Sequence, residues 1–164
     1  MRAFLAMSLI GYLILAGTCA QAQDLASFEH ALRKVVRYEQ ARRRSGQADV
    51  LGGSFSGWWS GRFSFLPSYS TCSTSVTSIS FRHNMRVSGR YATLSTNHAG
   101  FFSGRSSDGR NFIFTKLVNT SAGTFAVGVG YSDLSSSGRR ATVVYLVQHV
   151  STGCKFAYGT IARR

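Results

Sequence analysis

Between Ser54 and Phe65 the chain alternates as only an extended strand with one wet face does. Phe55, Gly57, Trp59, Gly61, Phe63 and Phe65 share one side at period two, and Ser54, Ser56, Ser60, Arg62 and Ser64 share the other, interrupted by Trp58. A helix would scatter these aromatic residues around its circumference, whereas a strand buries them together. Two glycines beside a large indole on the core face predict a strand that bends, or that another backbone approaches closely, as a sheet curling into a barrel requires.

The same period continues to the C terminus. Candidate strands follow over 73–82, 85–94, 100–106, 110–118, 124–131, 140–150 and 154–161, which with the first makes eight. Turn chemistry lies between them at His83-Asn84, Thr96-Asn97-His98, 119–123, 133–138 and Ser151-Thr152-Gly153, and Asp108-Gly109 is the strongest hairpin signal. Connections too short to hold a helix make sequential neighbours antiparallel. The expectation over 54–164 is therefore an all-β domain, an up-and-down meander of about eight strands closed as a barrel or packed as a sandwich. Ser-Gly-Arg recurs at 60–62, 88–90, 103–105 and 137–139, with Asp108-Gly109-Arg110 as a variant. The irregular spacing excludes a solenoid. It predicts instead that each copy marks a bend or a hairpin edge with its arginine in solvent.

Ahead of the strands, 23–53 reads as an amphipathic helix and a linker. Asp24 can cap a helix whose apolar stripe is Leu25, Phe28, Leu32, Val35 and Val36, with Glu29–Arg33 and Glu39–Arg43 as supporting pairs one turn apart. Arg33, Lys34, Arg37 and Arg44 fall away from the stripe. The helix is expected to fray near Gln40, and the arginine run and glycines of 41–53 read as linker. Such a stripe packs on its own domain, for instance across a barrel mouth, or lies on an anionic membrane surface.

Residues 1–22 have the form of a signal peptide. Met1-Arg2 is a short positive start, Ala3 to Gly17 an apolar run, and Ala20-Gln21-Ala22 supplies small residues before Gln23. Ala16-Gly17-Thr18 lacks the residue types expected ahead of a lipidated cysteine, which argues against lipidation at Cys19. The protein is thus expected to be periplasmic or secreted. In that oxidising setting Cys72 and Cys154 are expected to form one structural disulfide. It would tie the segment after the first strand to the start of the last, closing a loop of about 80 residues at a gain of about 3 to 4 kcal/mol.

Gly57 and Trp59 opening the first strand, with Arg163 close to the end of the last, resemble the general plan of the calycin barrels, the lipocalin and avidin-like folds. The resemblance spans the domain in pattern and these few residues in identity. It implies a closed eight-stranded barrel and says nothing of function.

Charge bounds the function. The chain carries 19 lysines and arginines against 6 acidic residues, a net charge of +13. After Ser54 its carboxylates are Asp108 and Asp133 alone, both in turns, which excludes glycosidases and other paired-carboxylate chemistry. No Gly-x-Ser-x-Gly elbow is present, and His83, His98 and His149 lack metal-ligand spacing. A metal-free histidine nuclease is the remaining catalytic option, with His83 and His98 placed in turns at opposite ends of one strand. Arg82, Arg86 and Arg90 recur every fourth residue, and with Arg62 on the adjacent strand they predict an anion-binding guanidinium strip, while Phe81, Met85, Val87 and Tyr91 face the core. The chain is expected to be a non-catalytic module, without cofactor or metal, that binds an anionic polymer or envelope component. The alternatives are a barrel that holds a small apolar ligand and an inhibitor of another secreted protein.

Overall fold

The computed structural model describes residues 25–41, 55–106, 108–135 and 137–164. The leader, Cys19, Asp24, Arg43, Arg44 and most of the linker lie outside them. Eight strands, β1 (Gly57–Phe65), β2 (Ser78–Ser88), β3 (Tyr91–Thr96), β4 (Gly100–Arg105), β5 (Phe112–Thr120), β6 (Gly123–Ser132), β7 (Arg140–His149) and β8 (Lys155–Arg163), close into a barrel in sequence order. Every neighbouring pair is antiparallel, including the closing pair β1–β8. Among the described residues one helix, α1, spans residues 25–41. The fold is the barrel rather than the sandwich.

Two expected boundaries are wrong. β2 runs unbroken through His83-Asn84, where His83 pairs with Trp59 on one side and Thr96 on the other. Reversal comes instead at Gly89-Arg90, between the paired residues Ser88 and Tyr91, where Gly89 takes φ 59°. A tight reversal needs the left-handed backbone that glycine adopts freely, and His83-Asn84 has turn composition without it. Residues 73–77 are loop, not strand. After a 3-10 turn at Pro67–Tyr69, the segment beyond β1 stays on β8: the Leu66 N–H donates to Ala157 O and the Thr71 N–H to Lys155 O.

The interior is filled with aromatic rings. Trp59, Phe63, Phe102, Phe112, Phe114 and Tyr131 are buried almost completely, and Phe63 stacks on Phe81 at 4.3 Å and on Tyr145 at 5.7 Å between centroids. Trp59 Nε1 donates to Phe55 O at 2.7 Å, so the indole is polar-satisfied as well as packed. Gly61 and Gly104 face this interior, where an added Cβ would meet the rings of Phe81 and Phe114. These two Ser-Gly-Arg copies therefore lie inside strands, and the other two lie at the β2–β3 and β6–β7 reversals; Arg62, Arg90, Arg105 and Arg139 are all exposed.

The outer wall is divided. Across β5–β8 it is apolar and covered by α1, whose Phe28, Leu32, Val35 and Val36 bury against Ile113, Ala126, Val144, Leu146 and Ala157. Three outward glycines make this approach fit: a Cβ at Gly130 would lie 2.3 Å from Val36 Cγ2, one at Gly128 2.6 Å from Leu32 Cδ2, and one at Gly159 3.4 Å from Glu39 Oε2. Gly130, Val144 and Gly159 occupy one cross-strand row, so the trough follows from the register. The helix thus packs on the wall and not across a mouth. Its last turn is not frayed: Glu39 and Gln40 are buried, and Gln40 Nε2 donates to Asn111 Oδ1 at 2.8 Å. The expected Glu29–Arg33 pair forms at 2.6 Å.

Candidate functional site

Among the described residues no helix covers the outer wall across β1–β4. Alternation fixes its side chains: inward residues of β2 are Ile79, Phe81, His83, Met85 and Val87, which leaves Arg82 and Arg86 outward and exposed. Arg62 faces out from β1, where its partner is Ser80, and Ser60 pairs with Arg82. Three of the four expected anion-binding residues thus share one surface, with Arg82 and Arg86 about 13 Å apart along the strand. Arg90 is also exposed but stands in the β2–β3 turn, at the end of the surface; its carbonyl accepts the Ser106 N–H at 2.8 Å. Pairing adds arginines that periodicity within one segment did not single out for this role: Arg105 opposite Tyr91, and Arg163 opposite Ser60 across the closing seam. From residue 55 to 106 the sequence has no aspartate or glutamate.

The surface is also aromatic. Trp58, Tyr91 and Phe101 are 54%, 69% and 61% exposed. Trp58 pairs with Asn84, Asn84 with Ser95, and Ser95 with Phe101, so Trp58 and Phe101 end one cross-strand row about 14 Å long. The Arg82 guanidinium lies over the Trp58 ring, 4.5 Å from its centroid. Tyr91 was expected in the core, and the two-residue turn at Gly89-Arg90 puts it outside. Among these rings only Trp58 had a sequence signal, as the one aromatic residue on the polar face of β1.

The three histidines stand in different settings. His83 is in the barrel core, its Nδ1 2.6 Å from the Tyr131 hydroxyl and its ring 4.6 Å from that of Phe81. Burial, with the nearby His98 charge, pulls its pKa down to about 3, so the ring is neutral at physiological pH. Burial also pushes the Tyr131 hydroxyl well above its ordinary value. His98 is exposed in the β3–β4 turn with Nε2 against Ser80 O, and His149 ends β7 against Ala122 O and the Ser151 hydroxyl. His83 therefore sits mid-strand, not in a turn. Among the described residues no three His, Cys, Asp or Glu side chains group so as to hold a metal ion.

Two further features frame the surface. Asp108 organises the β4–β5 loop: burial raises its pKa, but N–H groups of Arg110 and Asn111, the Asn111 amide and the Ser106 hydroxyl outweigh that and hold it at about 2. Cys72 and Cys154 are bonded, with Cα atoms 5.7 Å apart, and join the β1–β2 loop to the turn before β8 as expected. The arginine that reaches Gly57 is Arg164, whose Nε would lie 2.7 Å from a Cβ there; Arg163 faces solvent. The chain matches no protein-family model, no curated protein and no solved structure.

Proposed function

We propose that this protein is an exported binding module that engages a polyanion through the outer wall of β1–β4. The observation that carries the proposal is the clustering of Arg62, Arg82 and Arg86 on one wall, flanked by Arg90, Arg105 and Arg163, with no carboxylate between residues 55 and 106. Guanidinium groups donate in the planar fork that phosphate, sulfate and carboxylate accept. With no opposing acid on these strands, their field adds rather than cancels. The interior, filled by its own rings, gives the small-ligand alternative no support. The disulfide is compatible with an oxidising compartment, secreted or periplasmic.

The test is binding of the purified protein to dextran sulfate and to polyphosphate over a range of salt. The logarithm of the affinity is expected to fall linearly with the logarithm of salt concentration, through release of condensed counterions. Affinity for both polymers that stays constant from low to high salt, or no binding to either, overturns the proposal. Export is tested by N-terminal sequencing of the protein recovered outside the cytoplasm, which is expected to begin at Gln23.

A further inference from the structure

Resting on that polyanion reading, we infer that the polymer bound by the β1–β4 wall is single-stranded nucleic acid, its phosphates on Arg82, Arg86 and Arg105 and its bases on Trp58, Tyr91 and Phe101. Arginines alone would serve any polyanion. Three rings that stand more than half exposed on the same wall need a ligand with flat apolar faces as well as charge. Sulfated and uronic-acid polysaccharides carry the charge without aromatic faces. Duplex nucleic acid carries both, but its bases are stacked on one another and closed to a protein ring. A single strand offers phosphate and an open π-face at every nucleotide, and aromatic platforms interleaved with basic side chains are how sequence-tolerant single-strand binders hold it.

The layout suits such a strand. Trp58 and Phe101 end one row across four strands, and Asn84 and Ser95 between them add amide and hydroxyl groups. Arg82 and Arg86 stand two residues to either side of Asn84 on β2, outside that row on both flanks. Tyr91 and its partner Arg105 repeat an aromatic–arginine neighbour pair farther along β3 and β4. The Arg82 guanidinium over the Trp58 ring makes a layered platform, since a guanidinium plane stacks on a base much as an aromatic ring does. The opposite half of the outer wall is apolar and buried under α1.

The probe is a labelled oligothymidylate of about 12 nucleotides, long enough for one such wall, measured by anisotropy against a duplex of equal length and against dextran sulfate at matched charge and salt. The single strand is expected to bind tightest and to quench the emission of Trp58, since Trp59 is sealed in the core. Trp58→Ala, Tyr91→Ala and Phe101→Ala are each expected to weaken oligothymidylate binding by about five- to 150-fold and to weaken dextran sulfate binding far less. Circular dichroism melts establish that each variant is folded; Trp58→Phe, which keeps a ring, is expected to retain most of the affinity. Equal affinity for the three polymers, preference for duplex or polysaccharide, or aromatic variants that bind oligothymidylate as the parent does would overturn the nucleic-acid inference and leave the polyanion reading standing. Absence of salt-dependent binding to all three would remove both.

Discussion

The Arg82 guanidinium rests 4.5 Å from the centre of the Trp58 ring on the solvent side of the barrel wall, although the two residues come from different strands and are not direct partners in the ladder. Trp58 opposes Asn84, so Arg82 reaches it diagonally, the geometry in which long side chains meet across antiparallel strands. The contact sets a cation over the face of an indole that is otherwise open to solvent. A double-mutant cycle with Trp58→Ala and Arg82→Ala is expected to give a coupling of about 0.5 to 1 kcal/mol in urea unfolding. Strict additivity of the two substitutions would show that the contact contributes nothing.

Arginines of this wall should be separable from basic residues elsewhere. Arg82→Ala and Arg86→Ala are each expected to weaken polyanion binding and to reduce the salt slope by about 0.7 to 0.9. Lys34→Ala lies on α1, which covers the other half of the barrel, and is expected to leave both unchanged. Equal losses from all three would mean that net charge, not the wall, governs binding.

His83 makes stability depend on pH. Its folded pKa, about 3, lies below its ordinary value of 6.5, because burial disfavours the charged ring. The unfolded chain therefore binds a proton that the folded chain refuses. The stabilisation is complete above about pH 6.5 and is lost progressively as pH falls toward 3, by at most about 1.4 kcal/mol per unit. Denaturant midpoints measured from pH 7 to 4 are expected to drop, and His83→Gln, which has no proton to gain, to drop less over that window. Parallel curves for parent and variant would place the acid sensitivity elsewhere.

The disulfide closes the barrel seam from outside. Beyond the last β1–β8 partners, Phe65 and Tyr158, the loop keeps bonding to β8 through Leu66, Ser70 and Thr71, and Cys72–Cys154 ends that run. Cross-linking residues separated by 82 positions constrains the unfolded chain by about 4 kcal/mol. Reduction is expected to lower the melting temperature by about 10 °C or more, at about 4 °C per kcal/mol for a domain of this size. A melt indifferent to reductant, or two reactive thiols in the native protein, would contradict the linkage.

Gly130 tests how α1 is seated. An added methyl would lie 2.3 Å from Val36 Cγ2, too close for either to stay in place. Gly130→Ala is expected to cost about 1 to 3 kcal/mol through overpacking. Pairing it with Val36→Ala should recover part of that loss, because the two changes share one contact. No recovery in the double variant would mean that the substitution acts through the strand and not through the helix.

Much of this architecture is local and could be read from the chain. The alternation of β1, the spacing of turns and the absence of intervening helices dictated a closed or packed antiparallel meander, because a strand buries every second residue whatever its partners are. The stripe of α1 and the pairing of the two cysteines were legible for similarly simple reasons. What pairing register decides was not. Whether His83-Asn84 turned or ran on depended on which of two turn-like dipeptides could supply a left-handed residue, and Gly89 did. That choice sent His83 into the core and put Tyr91 in solvent, because a one-residue change of parity exchanges the faces of a strand. Phe101 beside Phe102 is equally ambiguous until β4 is laid against β3. The trough of Gly128, Gly130 and Gly159 exists only because β6 to β8 align their outward residues, and it decides which half of the wall the helix covers. Sequence determined that the chain would carry many arginines and few acids; only the closed barrel decided that Arg62, Arg82, Arg86, Arg105 and Arg163 stand together beside exposed rings, since their nearness is set by ladders joining residues far apart in the chain.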